Sequence, residues 1–160
     1  MLLEAAALVR ASGCPVWLLI VGDGPSLAEL KTLSSKRGLD DFVRFTGRVP
    51  HDAIPEYVAA FDIGVSPRAT FYASPMKIPE YMAAGVPVIA PRMANITDLV
   101  TEGIDSECFE PESVDDLASA LQQLASNPDH RTRLARAARQ SILEHRSWRH
   151  VAAALASLGG

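Results

Sequence analysis

One stretch of this sequence concentrates groups able to do chemistry: Ser74-Pro75-Met76-Lys77-Ile78-Pro79-Glu80-Tyr81-Met82-Ala83-Ala84-Gly85. It reads as a helix from Pro75 to Gly85, with Pro79 tolerable only in the first turn. The amides at such a helix start have no intrahelical partner and favour an anion, phosphate above all. Lys77 adds a full positive charge in the first turn, where a cation is otherwise disfavoured. Glu80 lies one turn along the same face, in an otherwise apolar setting. Its carboxylate can accept two hydrogen bonds from a vicinal diol such as that of a ribose. The alternative is a surface ion pair between Lys77 and Glu80.

Two glycine turns also follow apolar runs. Gly22-Asp23-Gly24-Pro25 permits a tight turn with close backbone approach. It is either a dinucleotide fingerprint or a plain strand-to-helix turn. Against the fingerprint, Leu27 holds the third glycine position and Pro25 removes an amide. Gly47-Arg48-Val49 ends a second run, where backbone groups could face a flat ring; an ordinary turn before Asp52 is the other reading. The histidines His51, His130, His145 and His150 sit in no triad or metal spacing and read as structural or solvated.

The elements that would hold these groups alternate. Leu2, Leu3, Ala6 and Val9 predict an opening helix, and Val16 to Val21 a strand buried on both faces. A helix after Pro25 carries Leu27, Leu30 and Leu33, followed by a strand around Val43 and Phe45. Asp52 caps a helix burying Ile54, Tyr57, Val58 and Phe61, and a strand follows at Asp62 to Ser66. Beyond the Pro75–Gly85 helix come a strand at Val86 to Ala90, a short helix at Ile96 to Val100 and a strand around Cys108-Phe109. Two amphipathic helices begin at Val114 and Pro128, and a last segment runs from Trp148 through Leu158. This alternation predicts an α/β, Rossmann-like parallel sheet with helices on both faces, its ligand beyond the carboxyl ends of the strands. The chain opens on a helix, so the first strand of such a sheet is expected to be missing.

Composition sets the frame. The 160 residues are 48% apolar and 21% charged, which excludes a disordered tail, a collagen-like repeat and a coiled coil. A net charge of −4 argues against a nucleic-acid partner. Cys14 and Cys108 suit neither a disulfide scaffold nor a zinc site, and fit a reducing cytoplasm. No apolar run approaches the roughly 20 residues of a membrane span. Met1-Leu2-Leu3-Glu4 carries an acid where a signal peptide would carry a base. A single domain over 1–160, cytoplasmic, is therefore expected, with C-terminal helices over about 128–158.

Several segments together carry a resemblance. They are Gly22-Asp23-Gly24-Pro25, Gly47-Arg48-Val49, the run Tyr57 to Pro67, and Lys77 through Pro87 with Val88-Ile89-Ala90. In order and spacing they resemble the C-terminal domain of retaining glycosyltransferases of family 4 (glycosyltransferase group 1), from about Cys14 to Trp148. The resemblance implies the second Rossmann-like half of a GT-B enzyme, holding a nucleotide-diphospho-sugar as substrate and using no metal or other cofactor. No Asp-x-Asp cluster is present. On that pattern Glu80 binds the ribose hydroxyls, the amides of Met76 and Lys77 contact the diphosphate, and Arg48 and Val49 flank the base. The implied nucleotide site is Arg48, Val49, Ser74, Pro75, Met76, Lys77 and Glu80, with no catalytic residue assigned.

The sequence departs from the family at Tyr72, where the first glutamate of a pair is expected, and at the turn Gly103-Ile104-Asp105-Ser106. The Arg68–Ser74 loop is where a substitute group would come from. The expected partners are the nucleotide sugar and an acceptor-binding N-terminal domain or another chain, through which any peripheral membrane association would act. Self-association through a bare edge of the Val16–Val21 strand is a further expectation. Transfer of a sugar with retention is the implied activity of the whole enzyme, this chain alone being inactive. A sugar-nucleotide epimerase or a non-catalytic interaction module on the same fold are the alternatives.

Overall fold

The strand at Val88–Pro91 is the middle of a parallel sheet, buried on both faces. The computed structural model describes residues 1–72 and 75–145. In chain order these form α1 (Leu2–Ala11), β1 (Leu18–Val21), α2 (Leu27–Lys36), β2 (Val43–Gly47), a 3-10 turn at His51–Ala53, α3 (Ile54–Ala59) and β3 (Gly64–Val65). There follow α4 (Lys77–Ala84), β4 (Val88–Pro91), α5 (Ala94–Thr97), β5 (Ser106–Phe109), α6 (Val114–Ser126) and α7 (Pro128–His145). The expected segment from Trp148 to Leu158 lies outside the described residues.

All strand pairs are parallel, as the alternation of strand and helix requires, with β3, β4 and β5 side by side in that order. Period-two alternation sorts the β4 and β5 side chains onto two cores. Ile89 and Phe109 pack with Ala5 and Val9 of α1 and with Leu117, Leu121 and Leu124 of α6. Val88, Ala90 and Cys108 face the other way, against Ile78 and Met82 of α4 and Ala138 of α7. Burying each such aliphatic side chain contributes about 1.5–3 kcal/mol. The Ser113 hydroxyl accepts the Asp116 amide at 3.2 Å and so starts α6, while Gly85 ends α4 at φ 73°.

The structure corrects the sequence reading at β1. The sheet expected as one piece is two: β1 and β2 form a pair of their own, and no described residue supplies a strand between β1 and β3. The run expected to be buried on both faces is an edge instead, with Leu19 37% and Trp17 70% exposed. Leu18 and Ile20 pack beneath Leu3 and Ala6 of α1, and no helix of the second core reaches the opposite face of β1. α1 therefore bridges the two sheets, giving Leu3 and Ala6 to one and Ala5 and Val9 to the other. Two smaller corrections concern helix starts. Asp52 lies in the 3-10 turn rather than capping α3, and of the face expected to be buried there only Val58 is. α4 begins at Lys77 rather than Pro75, which sets Pro79 in its first turn, where a missing amide costs nothing.

Two contacts hold the elements that matter below. Gly64 lies so close to α4 that an added Cβ would stand 2.5 Å from the Tyr81 ring. That ring also meets Phe61 edge-on at 6.0 Å. Burial, reinforced by the neighbouring Glu80 charge, raises the Tyr81 phenol above its ordinary pKa. On the far side, Glu107 of β5 is buried and accepts from His130 Nε2 of α7 at 2.5 Å. Nδ1 of the same ring lies 2.7 Å from the Arg133 guanidinium.

Both contacts yield expected outcomes. Gly64→Ala should lower stability by about 1–3 kcal/mol through overpacking against Tyr81, read by urea or thermal melts. A melt matching wild type would show that the ring can move aside. His130→Ala should cost about 1–3 kcal/mol by leaving the buried Glu107 carboxylate with only the long 3.4 Å hydrogen bond from the Gln123 amide. His130→Ala with Glu107→Leu should recover part of that loss.

Candidate functional site

β3 and β5 both end beside the carboxyl end of β4, and a cleft of about 590 Å³ opens there. Ser66 continues the line of β3, its amide donating to the Ile89 carbonyl at 2.9 Å. The chain then leaves the sheet at Arg68 and returns through Pro75 into α4. Asn95 of α5 pins the outgoing loop by donating to the Thr70 carbonyl at 2.9 Å. The cleft walls are Ser66, Arg68, Ala69 and Thr70 on one side, Pro75, Met76 and Lys77 at the helix start, and Glu112 beyond β5. Pro75 and Met76 accept the amides of Ile78 and Glu80 through their carbonyls at 3.2 and 3.3 Å. Their position at the head of α4 leaves the Met76 and Lys77 amides without a backbone acceptor among the described residues.

Three cations stand near this end of the sheet, and their situations differ. Arg92, just past β4, is clamped by Glu102 at 2.5 Å and also by Glu110. The hydrogen bond to Glu102 is the main reason its guanidinium is held still more firmly in its charged form, and the same bond pulls the Glu102 carboxyl below its usual range. Arg68 has one carboxylate partner among the described residues, Glu112, at 2.8 Å. Lys77 is exposed and has no carboxylate partner among the described residues. In particular it does not pair with Glu80, so the alternative of a surface ion pair between these two residues is not formed. Positive charge and helix-start amides thus meet in a cleft of small-ligand size, an arrangement suited to an anion.

The residues expected from sequence fall in four groups. Pro75, Met76 and Lys77 line the cleft. Glu80 is exposed one turn further along α4 and is not part of the lining. Arg48 and Val49 follow β2 in the other sheet, Arg48 exposed and Val49 half-buried, and do not reach this cleft. Ser74 lies outside the described residues. Tyr72, at the position of the absent glutamate, is exposed and stacks edge-on with Phe71 at 5.1 Å. The Gly22 turn is closed by a hydrogen bond from its amide to the Thr46 hydroxyl at 3.1 Å, and α2 starts only at Leu27.

Ser66, Thr70 and Glu112 were not singled out from sequence. Their signal was available: each lies within a few residues of the carboxyl end of a strand. A second hollow, of about 260 Å³ beside Asp62, Pro87 and Arg131, lies at the amino ends of β3 and β4, where such sheets do not bind ligands. Among the described residues there is no cluster of three or more metal-ligating side chains, and no helix long and apolar enough to cross a membrane.

Known proteins share this sequence pattern and this fold. The alpha-D-kanosaminyltransferase of Streptomyces kanamyceticus is 29% identical over 133 residues, covering 83% of this chain and 34% of that protein. A GDP-mannose-dependent alpha-(1-6)-phosphatidylinositol monomannoside mannosyltransferase of Mycobacterium tuberculosis is 33% identical over 146 residues, 87% of this chain and 38% of the relative. The crystal structure of Anabaena HepE in complex with UDP superposes with a TM-score of 0.79 over 97% of this chain and 44% of that one, at 23% identity. The chain spans about a third to two fifths of the length of the curated relatives it matches. The family description "Glycosyl transferases group 1" matches residues 1–141. With that match over most of its length, and with parallel sheets layered between helices as in GT-B glycosyltransferases, the chain belongs to the group 1 glycosyl transferase family.

Proposed function

We propose that this chain is the nucleotide-sugar-binding part of a glycosyltransferase that moves a sugar from a nucleoside diphosphate donor to an acceptor with retention. The observation that carries the reading is the cleft beyond β3, where the head of α4 meets Lys77, a cation with no carboxylate partner among the described residues. In such a transfer the departing group is the nucleoside diphosphate. The Met76 and Lys77 amides, with the Lys77 ammonium, are fixed donors that stabilise charge as it gathers on that group. Glu80, one turn on, holds the ribose diol, and Arg48 and Val49 flank the base from the β2 side. The solved complex of HepE with UDP supports this kind of ligand for the fold. The mannosyl-, glucosyl- and kanosaminyl-transferring relatives support the reaction class. The acceptor is bound by a part of the enzyme outside this domain.

Glu80→Gln keeps the shape of the side chain and removes its charge. Nucleoside diphosphate binding, measured by calorimetry with UDP and GDP, should weaken about tenfold, the value of a charge-assisted hydrogen bond. The 2′-deoxy counterparts lack one hydroxyl and should show little difference between variant and wild type. Equal affinity of both proteins for the ribose form would remove Glu80 from the site.

Transfer needs donor and acceptor enclosed together, and proximity supplies much of the rate. The isolated 160-residue chain should therefore bind donor without glycosylating an acceptor, slow donor hydrolysis aside. Glycosylation of any member of an acceptor panel by the purified chain alone would overturn this division of labour.

A further inference from the structure

We propose that Arg68 is a second diphosphate-binding cation of the cleft, paired with Glu112 and handed to the donor when nucleotide enters. The inference rests on the nucleotide-sugar reading above and adds to it a residue pair that this reading does not require. Arg68 leaves the sheet just beyond β3 and Glu112 just beyond β5, so their 2.8 Å ion pair spans the carboxyl end of β4. Both side chains line the same cleft as Lys77.

The pair is built to be exchanged. The Arg68 side chain is 70% exposed and that of Glu112 66%, and an exposed single pair shifts an equilibrium by no more than about fivefold. A diphosphate brings more charge and a matching fork of oxygens, which a guanidinium binds bidentately. Arg92 provides the contrast. It has two carboxylates, and separating it from both would strand two charges, so it stays structural.

Glu112 is placed with care. Its backbone stands at φ 60°, the left-handed region, the only described non-glycine residue with a positive φ. Its neighbours fix it there. The Glu110 amide donates to Asp116 at 2.6 Å, the Ser113 amide closes a turn onto the Glu110 carbonyl at 3.1 Å, and Ser113 caps α6. A carboxylate held at the wall of an anion site by a strained backbone is a feature that persists when its position matters. Paired with Arg68, it neutralises that cation. Against an anion too weakly charged to displace it, it acts as a repulsive gate.

The test is a double-mutant cycle read by calorimetry, with inorganic pyrophosphate, UDP and GDP titrated into the 160-residue chain at low salt. Glu112→Gln should tighten pyrophosphate binding about three- to fivefold, since Arg68 no longer has to be released. Arg68→Gln should weaken it about tenfold. The gain from Glu112→Gln should shrink clearly in the Arg68→Gln background, because most of it passes through the release of Arg68. A Glu112→Gln protein with unchanged or weaker binding overturns the proposal. So does a gain that is undiminished in the Arg68→Gln background, which would report general charge rather than an exchanged partner. If UDP and GDP bind and Glu80→Gln weakens them while this cycle stays flat, the Arg68 assignment alone falls. If the wild-type chain binds neither nucleotide nor pyrophosphate, the nucleotide reading and the Arg68 assignment fall together.

Discussion

β4 is bonded to a strand on each side and buried on both faces, and the geometry of the cleft follows from that double constraint. Its backbone fixes the register of β3 and so the point where Arg68 leaves the sheet. Its side chains Val88 and Ala90 seat Ile78 and Met82, which set the depth and roll of α4. Its other neighbour, β5, delivers the loop that bears Glu112. A strand so fully committed cannot shift without breaking two ladders and two cores, so the groups at its end hold their relative positions even though most of them are exposed.

The sequence made legible what depends on local chemistry. The α4 start, its glycine end and the cation inside its first turn form one continuous stretch, and the structure finds Pro75, Met76 and Lys77 on one cleft wall. The alternation of strands and helices likewise carried the parallel arrangement. What stayed hidden depends on partners far apart in the chain. Arg68 and Glu112 are 44 residues apart, and Glu107 and His130 are 23. Nothing in their neighbourhoods announces the pairing. The misreading of Val16 to Val21 has a different origin. An apolar run records what a strand could bury, whereas its actual burial depends on the neighbours present, and β1 has a strand on one side and a helix on one face only.

The molecule divides into a closed part and an open one. Around β3, β4 and β5 the core is sealed by α1, α4, α6 and α7, and the Glu107–His130 contact ties β5 to α7 inside it. Around β1 and β2 the core is a single layer, with Leu19 and Trp17 in solvent. Arg10 of α1 partly compensates. Its guanidinium lies 4.5 Å from the Phe42 ring centre and donates to the Val16 carbonyl at 3.0 Å, tying helix and strand together by a polar route where apolar cover is thin.

The bridging helix has a thermodynamic consequence. Arg48 and Val49 and the cleft beyond β3 stand on different sheets, joined through α1 and the Cys14–Val16 segment that follows it rather than through strand hydrogen bonds. A nucleotide long enough to touch both would be a further tie between them. Part of its binding free energy would then be spent on ordering one sheet against the other, so that affinity and cooperative unfolding become two readings of a single linked equilibrium. Substitutions in α1 that never touch the ligand would alter how tightly it is held.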